Sequence, residues 1–158
     1  MKQKKLNKVL KFFSLAEAIE GYSKDRSTQV GAVALDKRLN VLCVGYNGFP
    51  RKVKDTEPRH QRPLKYSVTA HAEENVIAQA AYTGTKLRGA TLILTTLFPC
   101  TTCTRLIIQA GIKKVISGRS KSDPKWDAEE RISREMFLEA DVKVLYYDRT
   151  TGKKTKLK

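Results

Sequence analysis

Apolar side chains recur along this chain with two different periods. Between residues 6 and 22, Leu6, Val9, Leu10, Phe13, Leu15, Ala16 and Ile19 follow roughly helical spacing, and Gly21 is placed to end an amphipathic helix. QVGAVAL (29–35) and NVLCVGY (40–46) are instead β-branched and apolar, and the DKRL between them predicts a hairpin. Residues 47–68, NGFPRKVKDTEPRHQRPLKYSV, have little periodicity and contain three prolines. A stretch of that length inside a small domain reads as a functional flap. Beyond it, HAEENVIAQAAY (71–82) predicts a helix, GATLILTT (89–96) a strand, and FPCTTCTRLIIQAG (98–111) a turn opening a helix that Gly111 stops. KKVISG (113–118) predicts a strand, KWDAEERISREMFLEA (125–140) a helix and DVKVLYYD (141–148) the last strand.

A hairpin makes antiparallel neighbours, whereas strand–helix–strand crossovers make parallel ones. The order therefore predicts a three-layer α/β/α sandwich around one mixed five-stranded sheet. With 158 residues, 41% of them hydrophobic, the chain suits a single domain with a substantial core. We place that domain at 1–158, with its core at about 6–148 and a basic tail at 149–158. No run approaches the roughly 18 apolar residues of a membrane span. The lysine-rich start lacks an apolar signal segment, so a cytoplasmic protein is expected.

The net charge of +15 is concentrated at the ends. Lys2, Lys4, Lys5, Lys8 and Lys11 lie in the first eleven residues without an acid, and Arg149, Lys153, Lys154, Lys156 and Lys158 close the chain without one. Such runs are ordinarily solvated ends; attraction to nucleic acid or to anionic nucleotides is the functional alternative.

Chemistry concentrates in two short motifs, His71-Ala72-Glu73 and Pro99-Cys100-Thr101-Thr102-Cys103. Three cysteines, two of them a C-x-x-C pair, do not make a disulfide framework. One imidazole and two thiolates hold zinc and leave its fourth tetrahedral position open, the arrangement of a catalytic site rather than a structural one. Cys100 and Cys103 lie three apart at the start of a predicted helix, where the dipole favours thiolate. Glu73 has the carboxyl needed to move a proton from water to a ring nitrogen and on to a departing amine. Residues two apart in an ideal helix diverge in direction, so this role requires His71 in the first turn. Cys43, in mid-strand, is expected to be a small buried hydrophobe.

H-A-E and P-C-T-T-C together match the pattern of zinc-dependent nucleobase deaminases. More narrowly, SKDRSTQVGAV (23–33), GYNGFP (45–50), HAEENVI (71–77), FPCTTC (98–103) and LIIQAGIKKVI (106–116) resemble the deoxycytidylate (dCMP) deaminase family of the cytidine deaminase superfamily, over roughly residues 10–147. The resemblance implies hydrolysis of dCMP to dUMP and ammonia, with one zinc per chain on His71, Cys100 and Cys103, and Glu73 as proton shuttle. It implies Asn47 at the sugar 3′-hydroxyl and the backbone of Ala72 at the pyrimidine edge, although Asn-Gly also suits a plain turn. Lys24 and Arg26 are the favoured phosphate ligands, with Arg51, Lys52 and Lys54 as alternatives. Tyr66 and Trp126 are aromatics for either a pocket wall or the core.

The resemblance further implies a homo-oligomer, often a hexamer, and allosteric control by dCTP and dTTP with Mg2+. Many members carry Gly two residues after the Pro of GYNGFP; this chain has Lys52 there, a departure that counts against that control. Some also hold a second zinc in the flap; this flap has His60 but no Cys. Two rivals compete: a tRNA adenosine deaminase, and a non-enzymatic, zinc-stabilised nucleotide- or nucleic-acid-binding module. The long flap and GYNGFP favour a free nucleotide over nucleic acid, and the acid at Glu73 favours an enzyme over a binding module.

Overall fold

Along β1 (Gly31–Leu35) every side chain is buried, yet alternate residues serve different halves of the core. Ala32 and Ala34 belong to one apolar cluster, Val33 and Leu35 to another. β3 (Thr91–Leu94) sorts the same way, with Leu92 and Leu94 on the side of Ala32 and Ile93 on the side of Val33. A strand covered on both faces reads as an unbroken apolar run, which is why GAVAL and TLIL lack alternation.

The computed structural model describes residues 3–118, 127–148 and 151–156; Lys2, Trp126, Arg149 and Lys158 lie outside the described residues. β2 (Val41–Tyr46), β4 (Lys114–Ser117), β5 (Lys143–Tyr147) and β6 (Lys154–Lys156) complete one sheet in the order β2–β1–β3–β4–β5–β6. β1 pairs antiparallel with β2 and β3, while β3, β4 and β5 are mutually parallel. The mixed sheet is as expected, but among the described residues it has six strands rather than five. The extra one, β6, runs antiparallel to β5. Its sequence, Lys-Thr-Lys, is exposed throughout, so only backbone pairing at a sheet edge defines it and no hydrophobic period announces it.

Helices cover both faces. α1 (Gln3–Leu10) and α2 (Phe13–Glu20) bury Val9, Leu10, Phe13 and Ala16 against Val33, Ile93, Ile116 and Leu145. The single helix expected over 6–22 is thus two. Hydrogen bonds from Lys11 N to Lys8 O and from Phe12 N to Val9 O tighten the backbone between them. On the opposite face, α4 (Ala72–Thr83), α5 (Thr101–Gln109) and α6 (Asp127–Glu139) contribute Val76, Ala80, Ile107 and Phe137. α5 ends as expected at Gly111, whose φ of 74° is accompanied by a bond from Ile112 N to Ile107 O. The flap contains a short 3-10 turn, Glu57–His60, and the helical turn α3 (Leu64–Val68). No helix among the described residues is long and apolar enough to cross a membrane.

One close approach sets the seat of α4. A Cβ on Gly45 of β2 would lie 2.7 Å from Ala72 O and 2.8 Å from Val76 N. Only glycine lets the first turn of α4 rest on the strand. Gly45→Ala is therefore expected to lower unfolding free energy by about 1–3 kcal/mol, read from urea denaturation; an unchanged midpoint would contradict this packing.

Candidate active site

The register of the sheet brings two helix starts to one place. Gly31 pairs with Tyr46 and Ala32 with Leu94, so β2 and β3 finish at the same end of the sheet. From that end the chain enters α4 after a bridge between Gly48 and Ala70, and α5 after the turn through Phe98 and Pro99. His71 is the N-cap of α4, with extended φ and ψ of −73° and 161°. Its N–H donates to Glu74 Oε2 at 2.6 Å, so the first turn is closed by its own carboxylate. Cys100 is the N-cap of α5, and its sulfur accepts from Cys103 N at 3.5 Å.

His71 Nδ1 lies 3.5 Å from Cys100 Sγ and 3.4 Å from Cys103 Sγ, and the three ligand atoms all lie within 4.8 Å of one another. Zinc–sulfur and zinc–nitrogen lengths of ~2.3 and ~2.0 Å at a tetrahedral angle put N and S about 3.5 Å apart. The donor set therefore fits a tetrahedral zinc ion in both element type and spacing. No fourth His, Cys, Asp or Glu among the described residues joins the cluster. Such a set leaves one position for a non-protein ligand.

The charges fit the same reading. A hydrogen bond from Cys103 holds the Cys100 thiol down to about 4, against burial, and His71 adds to the effect. The same bond and burial push the Cys103 thiol up. Contact with Cys100 raises the His71 imidazole to about 9. An anionic sulfur thus sits at a helix N-terminus, where the dipole supports it.

Glu73 is only 6% exposed, and its burial raises it to about 6, against its own backbone N–H and His71. Because His71 is an extended cap rather than a helical residue, the divergence of positions two apart in a helix does not apply. Glu73 is not one of the clustered ligands, yet it feels the charges of His71 and Cys100. A carboxyl poised near neutrality beside a metal-fitting cluster can both take and give a proton.

The remaining sequence-derived residues fall outside this cluster. Ala72 is fully buried at the first position of α4. Asn47 is buried, with Oδ1 accepting from Val30 N at 2.8 Å and Nδ2 donating to Thr28 O at 2.9 Å and Asp25 Oδ2 at 3.3 Å. Lys24 pairs with Asp55 at 3.3 Å, and Arg26 pairs with Glu57 through two bonds of 2.6 and 2.7 Å. Arg51 hydrogen-bonds Gln79 and stacks on Tyr82. His60 bonds Asp55 at 2.6 Å and packs on Phe49. Lys52 has φ 66°, so the flap keeps the left-handed turn that a glycine would serve, at a cost of about 1–2 kcal/mol. Tyr66 is exposed under Arg62. Cys43 is buried, and that burial raises its thiol.

Several supports were not legible in the sequence. Asp25, with a side chain 5% exposed, accepts from Lys65 Nζ at 2.7 Å and from the backbone N–H groups of Ser27 and Thr28. It ties the flap to the loop after α2. Between these segments opens a cleft of about 210 Å3, lined by Tyr22, Lys24, Tyr46, Phe49, His60 and Lys65 among others. Glu129 of α6 accepts from Thr101 N at 3.2 Å and Thr101 Oγ1 at 3.0 Å, which anchors the N-terminus of α5. No spacing rule links an acid in the last helix to a threonine 28 residues earlier.

Comparison with known proteins bears on the same residues. The family model for the cytidine and deoxycytidylate deaminase zinc-binding region matches residues 6–119. A protein of Aliivibrio fischeri described as an uncharacterized deaminase in the luxG 3′ region is 40% identical over 138 residues, covering 86% of this chain and 90% of the relative. Human deoxycytidylate deaminase is 34% identical over 133 residues, covering 80% and 71%. The crystal structure of dCMP deaminase from cyanophage S-TIM5 in complex with dCMP and dUMP superposes with a TM-score of 0.72, covering 92% of this chain and 98% of that one at 23% identity, a likeness of fold.

Acid should loosen the flap at Asp25 only below the ordinary carboxylate range. Burial pulls the Asp25 carboxyl up, but the bonds from Lys65, Thr28 and Ser27 outweigh it and hold the group at about 2, below its ordinary 3.8. A depressed carboxyl contributes stability that is fully present above its unfolded value and is lost as pH falls through its folded one. Asp25→Asn is therefore expected to cost about 1–2 kcal/mol at pH 7, with the gap to the parent shrinking between about pH 4 and pH 2. Urea unfolding across that range reads the gap; one independent of pH would contradict the assignment.

Proposed function

The chain belongs to the cytidine and deoxycytidylate deaminase family, and on that premise we propose that it hydrolyses dCMP to dUMP and ammonia. The observation that carries this reading is the one-nitrogen, two-sulfur donor set with a buried carboxyl at its side. His71, Cys100 and Cys103 would hold the zinc, and zinc when bound supplies a Lewis acid that makes water acidic near neutrality. Glu73 takes a proton from the attacking water and delivers it to N3 of the ring. The water oxygen bonds to C4; Glu73 then takes that oxygen's second proton and passes it to the leaving nitrogen as the C4–amine bond breaks and C4–O becomes a carbonyl. The balance is dCMP plus water to dUMP plus ammonia.

The rest of the chain orients the substrate. Asn47 Oδ1 keeps a lone pair after accepting from Val30, which suits the sugar 3′-hydroxyl. The first-turn backbone of α4 at Ala72 meets the pyrimidine edge. Lys24 and Arg26 bind the 5′-phosphate by exchanging exposed carboxylate partners for it, since exposed pairs of this kind hold only weakly. On the same reading the enzyme is a homo-oligomer, a hexamer, that acts in the cytoplasm and responds to dCTP and dTTP with Mg2+. The preserved turn at Lys52 supports the last point.

Ammonia release from dCMP, CMP, deoxycytidine and dCTP tests the substrate, and dCMP is expected to turn over fastest. Glu73→Gln should keep one zinc per chain while turnover falls by roughly 10^2–10^4. Near-normal turnover in that variant would overturn the mechanism. Adenosine-to-inosine conversion on tightly bound tRNA, without dCMP turnover, would favour the rival enzyme.

A further inference from the structure

Described lysines from the two basic ends of the chain form one surface. Lys4, Lys8 and Lys11 are exposed at i, i+4 and i+7, a single stripe along α1 and the turn that follows it. Asn7 lies within that stripe, and its Oδ1 accepts from Lys154 Nζ of β6 at 3.3 Å. The strand register completes the placement. Lys154 pairs with Tyr147 and Lys156 with Leu145, and directly paired residues share a face of the sheet. Leu145 belongs to the core half under α1 and α2, and Tyr147 packs against it. Lys154 and Lys156 therefore rise on the α1 side. Segments nearly 150 residues apart in sequence, 147 between Asn7 and Lys154, converge there.

Such a cluster is costly unless something offsets it, because like charges at i, i+4 repel. Among the described residues, none of Lys4, Lys8, Lys11, Lys154 or Lys156 has a carboxylate in ion-pair contact. Among the described residues the surface also lacks an apolar component. Val9 and Leu10 are spent on the core, Leu6 packs against it, and no large exposed hydrophobic residue lies in α1 or β6. A membrane-surface helix needs a free apolar face to insert, and this one has none. A repeating phosphate chain needs only cations at intervals. Lys4 to Lys11 spans about 10 Å along the helix, roughly three phosphate steps at ~3.4 Å of duplex rise.

We propose that this five-lysine surface of α1 and β6 binds the phosphate backbone of nucleic acid without reading sequence. It lies across the sheet from α4 and α5, so occupancy leaves the deaminase cluster open.

The test uses the zinc-loaded full chain and a fluorescent 20-base-pair DNA duplex, with anisotropy read between 50 and 200 mM NaCl. Five neutralised phosphates give a log–log salt slope near about −4.5, a loss of roughly 10^2–10^3 in affinity over that range. The double reversals K8E/K11E and K154E/K156E should each weaken binding at least tenfold at 50 mM salt and leave dCMP turnover unchanged. Double neutralisation to Gln at either pair should flatten the slope by about 2. Absence of salt-sensitive binding would overturn the proposal. So would dependence on only one of the two pairs, or equal affinity for vesicles containing 30% phosphatidylserine.

Discussion

Two helices begin at the same end of one sheet, and the candidate chemistry depends on that coincidence. The backbone register of β1 with β2 and β3 aligns the ends of those strands, and each leads to a helix whose N-cap is a metal-fitting side chain. An N-cap residue is extended while its neighbour is helical, so its side chain projects back over the helix mouth. That is how His71 and Cys100 come within 3.5 Å although 29 residues separate them. Cys103, one turn into α5, supplies the third donor from below. The positive ends of both helices point at this spot, and they favour the anionic sulfur and any anionic ligand there.

Everything near this spot serves to fix it. Gly45 lets α4 sit directly on β2, Glu74 closes its first turn, and Glu129 secures the first turn of α5. Burial of Glu73 then has a chemical consequence: a carboxyl that cannot be freely hydrated is held near the pH at which it both accepts and donates. The flap is built differently. Its exposed pairs, Lys24 with Asp55 and Arg26 with Glu57, are exchangeable, whereas the buried pair of Asp25 with Lys65 is not.

Much of this was legible in the sequence for identifiable reasons. Central strands announced themselves because double-sided burial demands continuous apolar residues, and the metal-fitting triad did so because few residue types bind zinc. What stayed hidden lacks a local period. β6 is a sheet edge made of lysine and threonine, defined by backbone bonds alone. The break between α1 and α2 falls inside an uninterrupted amphipathic pattern, since Leu10 and Phe13 satisfy the core either way. The anchors at Asp25, Lys65 and Glu129 join segments that only the folded register brings together. Lys52 illustrates the converse case, a non-glycine residue that retains a glycine-like backbone.

The proposed chemistry requires one metal ion held by an imidazole and two sulfurs at the meeting of two helix starts. X-ray absorption at the zinc K-edge of the purified protein measures that environment directly. The expected spectrum has two sulfur scatterers at ~2.3 Å, one imidazole at ~2.0 Å and one further light atom from solvent. A zinc with four protein ligands, or with any number of sulfurs other than two, would contradict the account.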